Sequence, residues 1–170
     1  MGETTTTALH QYLTFRLGEE IFALDIARVR EVLEYTTVTA LPRSPDFVRG
    51  VINLRGSVVP VVDMRLAFGM TRTEQTVSTC VIIVEMEVEG ETVVMGAMAD
   101  SVQEVIELAP GLIEPSPRIG VKLCNRFIRG MGKHNGQFVI ILDSDMVFTE
   151  EEAAVVQAAG RDREEEAFPG

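Results

Sequence analysis

Cysteine is scarce in this 170-residue chain, where Cys80 sits in an apolar strand pattern and Cys124 in a loop pattern, with no CxxC and no histidine at ligand spacing. That reads as a reduced, cytoplasmic protein with neither a disulfide framework nor a metal site. Basic charge is also short: 15 Lys and Arg against 26 Asp and Glu leave a net charge of −11, a field that repels phosphate backbones and anionic lipid headgroups. Nucleic acid is excluded as a partner on that ground. No apolar run reaches the roughly 20 residues that span a bilayer, and residues 1–8 are polar and Thr-rich without a basic or apolar signal region. No membrane insertion is expected. Catalytic signatures are missing too, since GxSxG, HExxH and phosphate-cradling glycine loops do not occur. His10 lies beside the leader and His134 in a predicted turn, both solvent positions rather than catalytic ones. Asp143-Ser144-Asp145 lacks the glycine and terminal glutamate of a calcium loop. No metal and no cofactor are expected.

What the chain does contain is Val and Ile in short runs, broken by Gly or Pro every ten residues or so, the pattern of a strand-rich protein rather than a helical bundle. Residues 11–17 and 21–24 read as a strand pair around Gly18-Glu19-Glu20. Asp25 caps one helical turn before 29–34 returns to an extended pattern, with a continuous helix over 25–34 as the rival. Pro42 and Pro45 make 41–46 a loop. Asp63 opens a short helix that stops at Gly69, and 71–78 is a polar connection. Beyond it, 79–86 and 92–98 form a second strand pair around Glu89-Gly90-Glu91. Thr149 with Glu152 makes a capping box for a helix over 149–160, and 161–170 is a charged, frayed tail.

Self-similarity organises these elements. At a constant shift of 80, the stretch 47–68 matches 127–148 without a gap at seven of 22 positions: Phe47 and Phe127, Arg49 and Arg129, Gly50 and Gly130, Gly56 and Gly136, Val59 and Val139, Asp63 and Asp143, Phe68 and Phe148. A shift of 73 matches 29–34 with 102–107 at four of six positions. Two related β-subdomains follow. The copies differ most where Asn53-Leu54-Arg55 becomes Lys133-His134-Asn135, and Asn135-Gly136 reads as an ordinary tight hairpin turn. The Arg55 region therefore carries something the shared fold does not require.

Two pairs of charges compete for a role. Asp63 and Asp143 stand at equivalent helix starts, and capping explains them better than a paired-carboxylate mechanism. Glu31, among Val29, Val32 and Leu33, and Arg55, beside Leu54, each fall near apolar surface. Facing one another they make a charge-assisted pair on a groove rim; as unrelated surface charges they contribute little. Both readings stand at this level.

The run Leu41-Pro42-x-x-Pro45-x-Phe47-Val48-x-Gly50-Val51-Ile52-Asn53-Leu54-Arg55-Gly56-x-Val58-x-Pro60-Val61-x-Asp63-Met64-Arg65 closely resembles the signature of the CheW-type chemotaxis coupling proteins. So do Phe15-x-Leu17-x-x-Glu20-x-Phe22-Ala23 and Val29-x-Glu31-Val32-Leu33, and the likeness extends over about 12–148. Met64 stands where leucine is usual, a volume-conserving change. The resemblance implies a mainly β fold of two related five-stranded SH3-like β-barrel subdomains with short helices and a C-terminal helix. The expected division is 1–9 leader, 10–72 first barrel, 73–148 second barrel, and 149–170 helix and acidic tail.

It also implies a non-catalytic adaptor that joins the cytoplasmic helical tips of methyl-accepting chemoreceptors to the regulatory domain of the chemotaxis histidine kinase, at membrane-associated arrays. The receptor would lie helix-in-groove against Val29, Glu31, Val32, Gly50, Arg55, Val81, Val102 and Val105, with Glu31 and Arg55 as the polar pair. The kinase contact would use barrel ends, with Gly130 and Gly132 as the candidate residues. Rivals are a CheW-like regulatory module of a larger chemotaxis protein, against which the Met1 start and polar ends speak, and a small acidic hydrolase using Asp63 and Asp143.

Overall fold

Ten strands make up nearly all the regular structure among the described residues, which in this computed structural model are 10–35, 38–42, 45–88, 90–114 and 128–143. They are β1 (His10–Leu17), β2 (Glu20–Asp25), β3 (Val29–Glu34), β4 (Val48–Leu54), β5 (Ser57–Asp63), β6 (Cys80–Val88), β7 (Glu91–Ala99), β8 (Ser101–Leu108), β9 (Ile128–His134) and β10 (Gln137–Leu142). One short helix, α1 (Met64–Ala67), follows β5. The expected helix over 149–160, the acidic tail, Cys124, Phe127 and Phe148 lie outside the described residues.

Local signals act as the sequence predicts at both aspartate caps. Asp25 accepts the Ala27 amide and opens a single 3₁₀ turn, Ile26–Arg28, after which the chain is extended, so the continuous helix over 25–34 is not formed. Asp63 accepts the amides of Arg65 and Leu66 and starts α1.

The strands form two five-stranded sheets, in the orders β8-β1-β2-β10-β9 and β3-β6-β7-β5-β4. The expected boundary between 72 and 73 is corrected by this pairing: the second sheet is continuous from β3 to β7, and it is inserted between β2 and β8 of the first. The repeat is nevertheless present. Replacing β1 to β5 by β6 to β10, and the reverse, turns one sheet order into the other. Each copy has given its first hairpin to the other copy's three remaining strands.

Details of register repeat as well. Both sheets carry a bulge at the matching place in β3 and β8, and another in β4 and β9, where Arg49 and Arg129 are the extra residues. In the same way Val61 lies opposite Gly96, and Ile141 opposite Ala23.

This exchange explains the three cores. Ile21, Ala23, Ile106, Val139 and Ile141 fill the first barrel, and Ile52, Val59, Val61, Val81, Ile83 and Met98 fill the second. Between them a larger cluster joins Phe15, Leu17, Phe22 and Leu24 from one sheet to Val62, Ile82, Val84, Met86 and Met95 from the other. The exchanged hairpins are therefore covered on both faces. That is why Val81-Ile82-Ile83-Val84 is apolar without alternation.

Candidate functional site

Arg55 and Gly56 connect β4 to β5 as a two-residue turn with φ of 53° and 87°. Asn135 and Gly136 do the same between β9 and β10 at 51° and 79°. Both turns are thus of one kind, which corrects the expectation that only the second is an ordinary hairpin. Asparagine tolerates the left-handed region because its short polar side chain bonds locally; arginine has no such compensation and carries strain there. Asn53 supports the first turn by accepting the Gly56 amide at 2.9 Å.

The strained residue is aimed at a partner. Arg55 donates from both terminal guanidinium nitrogens to the two carboxylate oxygens of Glu31, the Nη2 to Oε1 bond being 2.9 Å. The hydrogen bond from Arg55 holds the Glu31 carboxyl below the usual carboxylate range, with the arginine's charge adding to it against some desolvation. Reciprocally the bond to Glu31 raises the guanidinium above its ordinary value. Glu31 is on β3 and Arg55 at the end of β4, the two outer strands of one sheet, so the pair bridges the seam where the sheet curls on itself. Arg55 is 72% exposed and Glu31 25%, which leaves the pair at the surface, where water screens it. Its planar fork is better suited to presenting a fixed shape than to holding the fold.

The other copy has a weak counterpart. Glu104, equivalent to Glu31, faces His134 Nε2 at 3.8 Å, a contact that is charged only when the imidazole is protonated. At the bulge beside it, the Thr14 hydroxyl donates to the Glu104 carbonyl at 2.7 Å and accepts the Glu104 amide at 3.1 Å.

The apolar candidates divide by burial. Val32 and Val105, equivalent in the repeat, are exposed at 40% and 45%, while Val29 and Val102, also equivalent, are half-buried against the shared central core. These four and the Glu31–Arg55 pair can meet a partner. Val81 cannot: it is 0% exposed inside the second barrel, because both faces of β6 are covered. Gly50 is buried as well, its backbone pressed so near Thr39 that a Cβ would stand 2.0 Å from the Thr39 carbonyl oxygen. Gly130 repeats this against the Glu114 carbonyl at 2.6 Å, and Gly132 is covered by Leu108 at 2.8 Å. These three glycines let backbone pack on backbone or under a leucine, and none offers a contact surface.

Sequence reasoning missed a polar network behind the site. Asp63, fully buried, accepts the Thr73 amide at 3.0 Å, the Thr73 hydroxyl at 2.7 Å and Arg49 Nη1 at 3.3 Å in addition to its two cap bonds. Two residues on, Arg65 Nη1 donates to Asp100 at 3.1 Å, and the Gly18 amide donates to the same Asp100 oxygen at 2.7 Å. The spacing of Asp63 and Arg65 across the helix start was the available signal. With its oxygens committed and no solvent access, Asp63 is not placed to move protons for a substrate. Among the described residues, no group of three or more His, Cys, Asp or Glu could hold a metal ion, and no helix is long and apolar enough to cross a membrane.

Comparison with known proteins agrees with this architecture. The CheW-like domain family matches residues 11–152. Chemotaxis protein CheW of Klebsiella aerogenes is 34% identical over 155 residues, 91% of this chain and 89% of that one. Chemotaxis protein CheW of Rhizobium meliloti is 33% identical over 147 residues, 86% of this chain and 92% of that one. The crystal structure of scaffolding protein TtCheW from Thermoanaerobacter tengcongensis superposes with a TM-score of 0.73 at 32% identity, over 84% of this chain and 89% of the other. With a match across most of its length, two exchanged barrels and the Asn53-Leu54-Arg55-Gly56 turn in place, this chain belongs to the CheW-like domain family.

Proposed function

We propose that the protein is a non-catalytic chemotaxis adaptor, which couples the cytoplasmic helical tips of chemoreceptors to the regulatory domain of the chemotaxis histidine kinase. The observation that carries this reading is an arginine kept in a left-handed turn, where the sister turn has asparagine, so that its guanidinium meets Glu31 at the barrel surface. Strain of this kind persists where a function needs the residue. The receptor surface comprises Glu31 and Arg55 with Val32, Val105 and the edges of Val29 and Val102; a helix laid there covers apolar side chains and has a planar ion pair to hydrogen-bond. Gly50, Val81, Gly130 and Gly132 are left out of the contact. In the cell the adaptor works in the cytoplasm, recruited to receptor arrays.

The test is co-sedimentation of the kinase with receptor-containing membranes, with and without this protein. Kinase recruitment is expected to require it, and Arg55→Ala or Glu31→Arg is expected to lower recruitment while circular dichroism and Tm stay near the parent's. If both variants recruit the kinase normally, the surface assignment fails. Should the parent itself recruit none, the adaptor role fails with it.

A further inference from the structure

The exchanged topology makes the two halves of the chain depend on one another. Divide the protein at the 71–78 connection. The N-terminal half then holds two hairpins, β1–β2 and β4–β5, and a lone β3; the C-terminal half holds β6–β7, β9–β10 and a lone β8. Among the described residues, every remaining strand pairing runs between the halves: β1 with β8, β2 with β10, β3 with β6, and β5 with β7. Neither half contains a complete sheet. Isolated hairpins are marginal in water, so each half depends on the other for its fold.

The covalent link contributes little to that union. Thr73 and Thr79 are buried and anchor its ends, while residues 74–78 are exposed. Hydrogen bonds in that exposed stretch are local: the Thr76 amide to the Thr79 hydroxyl at 2.8 Å, the Ser78 amide to the Thr76 hydroxyl at 3.1 Å, the Thr79 amide to the Thr76 carbonyl at 3.2 Å, and the Cys80 thiol to the Ser78 carbonyl at 3.2 Å.

We propose that the surface on which one half closes over the other is also a docking surface for a second copy of this chain, and that two copies trade halves to give a strand-exchanged dimer. The dimer contains two complete two-barrel units. It needs no new contact, because every pairing and core cluster of the monomer is remade between chains. What favours the monomer is the tether, which keeps the second half at an effective concentration on the order of millimolar. Residues 74–78 set that balance, since a tether too short to close on its own chain still reaches a neighbour's.

Two measurements test it. In the first, residues 74–78 of the full chain are replaced by a protease recognition sequence and the folded protein is cleaved. The halves are expected to elute together at the mass of the intact chain and to unfold in one transition. When light and isotopically heavy cleaved protein are unfolded and refolded together, complexes with one light and one heavy half are expected in the native mass spectrum. Halves that elute separately, or refolded complexes with no mixed mass, overturn the proposal. In the second, deletion of 74–77 from the full chain is expected to double the mass in solution with an unchanged circular dichroism spectrum, and a folded monomer overturns the proposal. If that deletion does not fold, the cleaved protein still decides.

Discussion

Arg55 and Asn135 occupy the same position of two equivalent hairpins 80 residues apart, and they share a backbone conformation, φ of 53° and 51°, that suits only the asparagine. The chain therefore contains its own control. One turn has the residue its geometry favours. The other keeps a residue that its geometry disfavours and directs it to Glu31.

Arg55→Asn is expected to relieve the turn and weaken partner binding together. Relief of a left-handed position in a chain of this length raises Tm by about 2–4 °C, less whatever the screened ion pair contributed. Thermal unfolding and receptor co-sedimentation measure the two effects separately. A fall in Tm with binding intact would mean that the arginine serves the turn rather than a partner.

Glu31 gives a pH test. Its carboxyl is held low in the fold, so the ion pair's contribution is fully present above the unfolded glutamate value, about 4.3, and is lost as pH falls through the lower folded value. Partner binding should accordingly be flat from pH 8 to 5.5 as far as this group is concerned. Carboxyl NMR should place the Glu31 midpoint below that reference in the parent and return it upward in Arg55→Ala. Equal midpoints in the two proteins would show that the bond does not form in solution.

Gly50→Ala separates a contact role from a folding one. Its Cβ would sit 2.0 Å from the Thr39 carbonyl oxygen, at a φ of 144° that side chains rarely adopt. Overpacking of this sort costs about 1–3 kcal/mol or more. Urea denaturation is expected to show that loss for Gly50→Ala and a similar one for Gly130→Ala. A stable Gly50→Ala protein that fails only in receptor binding would restore the glycine to the groove.

Asp63→Ala addresses the hydrolase alternative. Removing a buried carboxylate that pairs with Arg49 and accepts both Thr73 donors leaves an uncompensated cation and unpaired amides, at about 3–5 kcal/mol. Chemical denaturation should show a strongly destabilised or unfolded protein. A stable, folded variant would argue that the aspartate is kept for chemistry.

Much of the fold was legible because its signals are local. Asp25 and Asp63 announce their turns, and the hairpins around Gly18 and Gly90 stand out between apolar runs. The repeat was legible from Gly50, Gly56, Asp63 and their counterparts. What stayed hidden was which three strands each leading hairpin would join, since a hairpin's sequence is the same whether it pairs within its own copy or with the other. The unbroken apolar run 81–84 was the trace of that exchange, and it also explains why Val81, a groove residue by resemblance alone, lies in a barrel interior. Arg55 as a turn residue was hidden for another reason: arginine is not a left-handed residue, and only the alignment with Asn135 reveals the turn.

Asp100 is the single residue between β7 and β8, where the chain passes from the second sheet to the first. One of its oxygens accepts the Gly18 amide, at the β1–β2 tip of the first sheet, and Arg65 Nη1, from α1 beside the second. Arg65 also donates to the Thr71 hydroxyl at 2.8 Å, yet its buried Nε has no partner, so Asp100 is the carboxylate that compensates this guanidinium. Asp100→Ala is expected to destabilise the protein by about 1–3 kcal/mol, the penalty for leaving such donors unsatisfied. More specifically, the Gly18 amide should exchange with solvent faster than the β1 and β2 amides beside it, because local opening at the junction then precedes global unfolding. Hydrogen exchange followed by NMR resolves that one amide. A Gly18 rate that matches the parent's would mean that core packing alone, through Phe15, Phe22 and Phe68, fixes one barrel against the other.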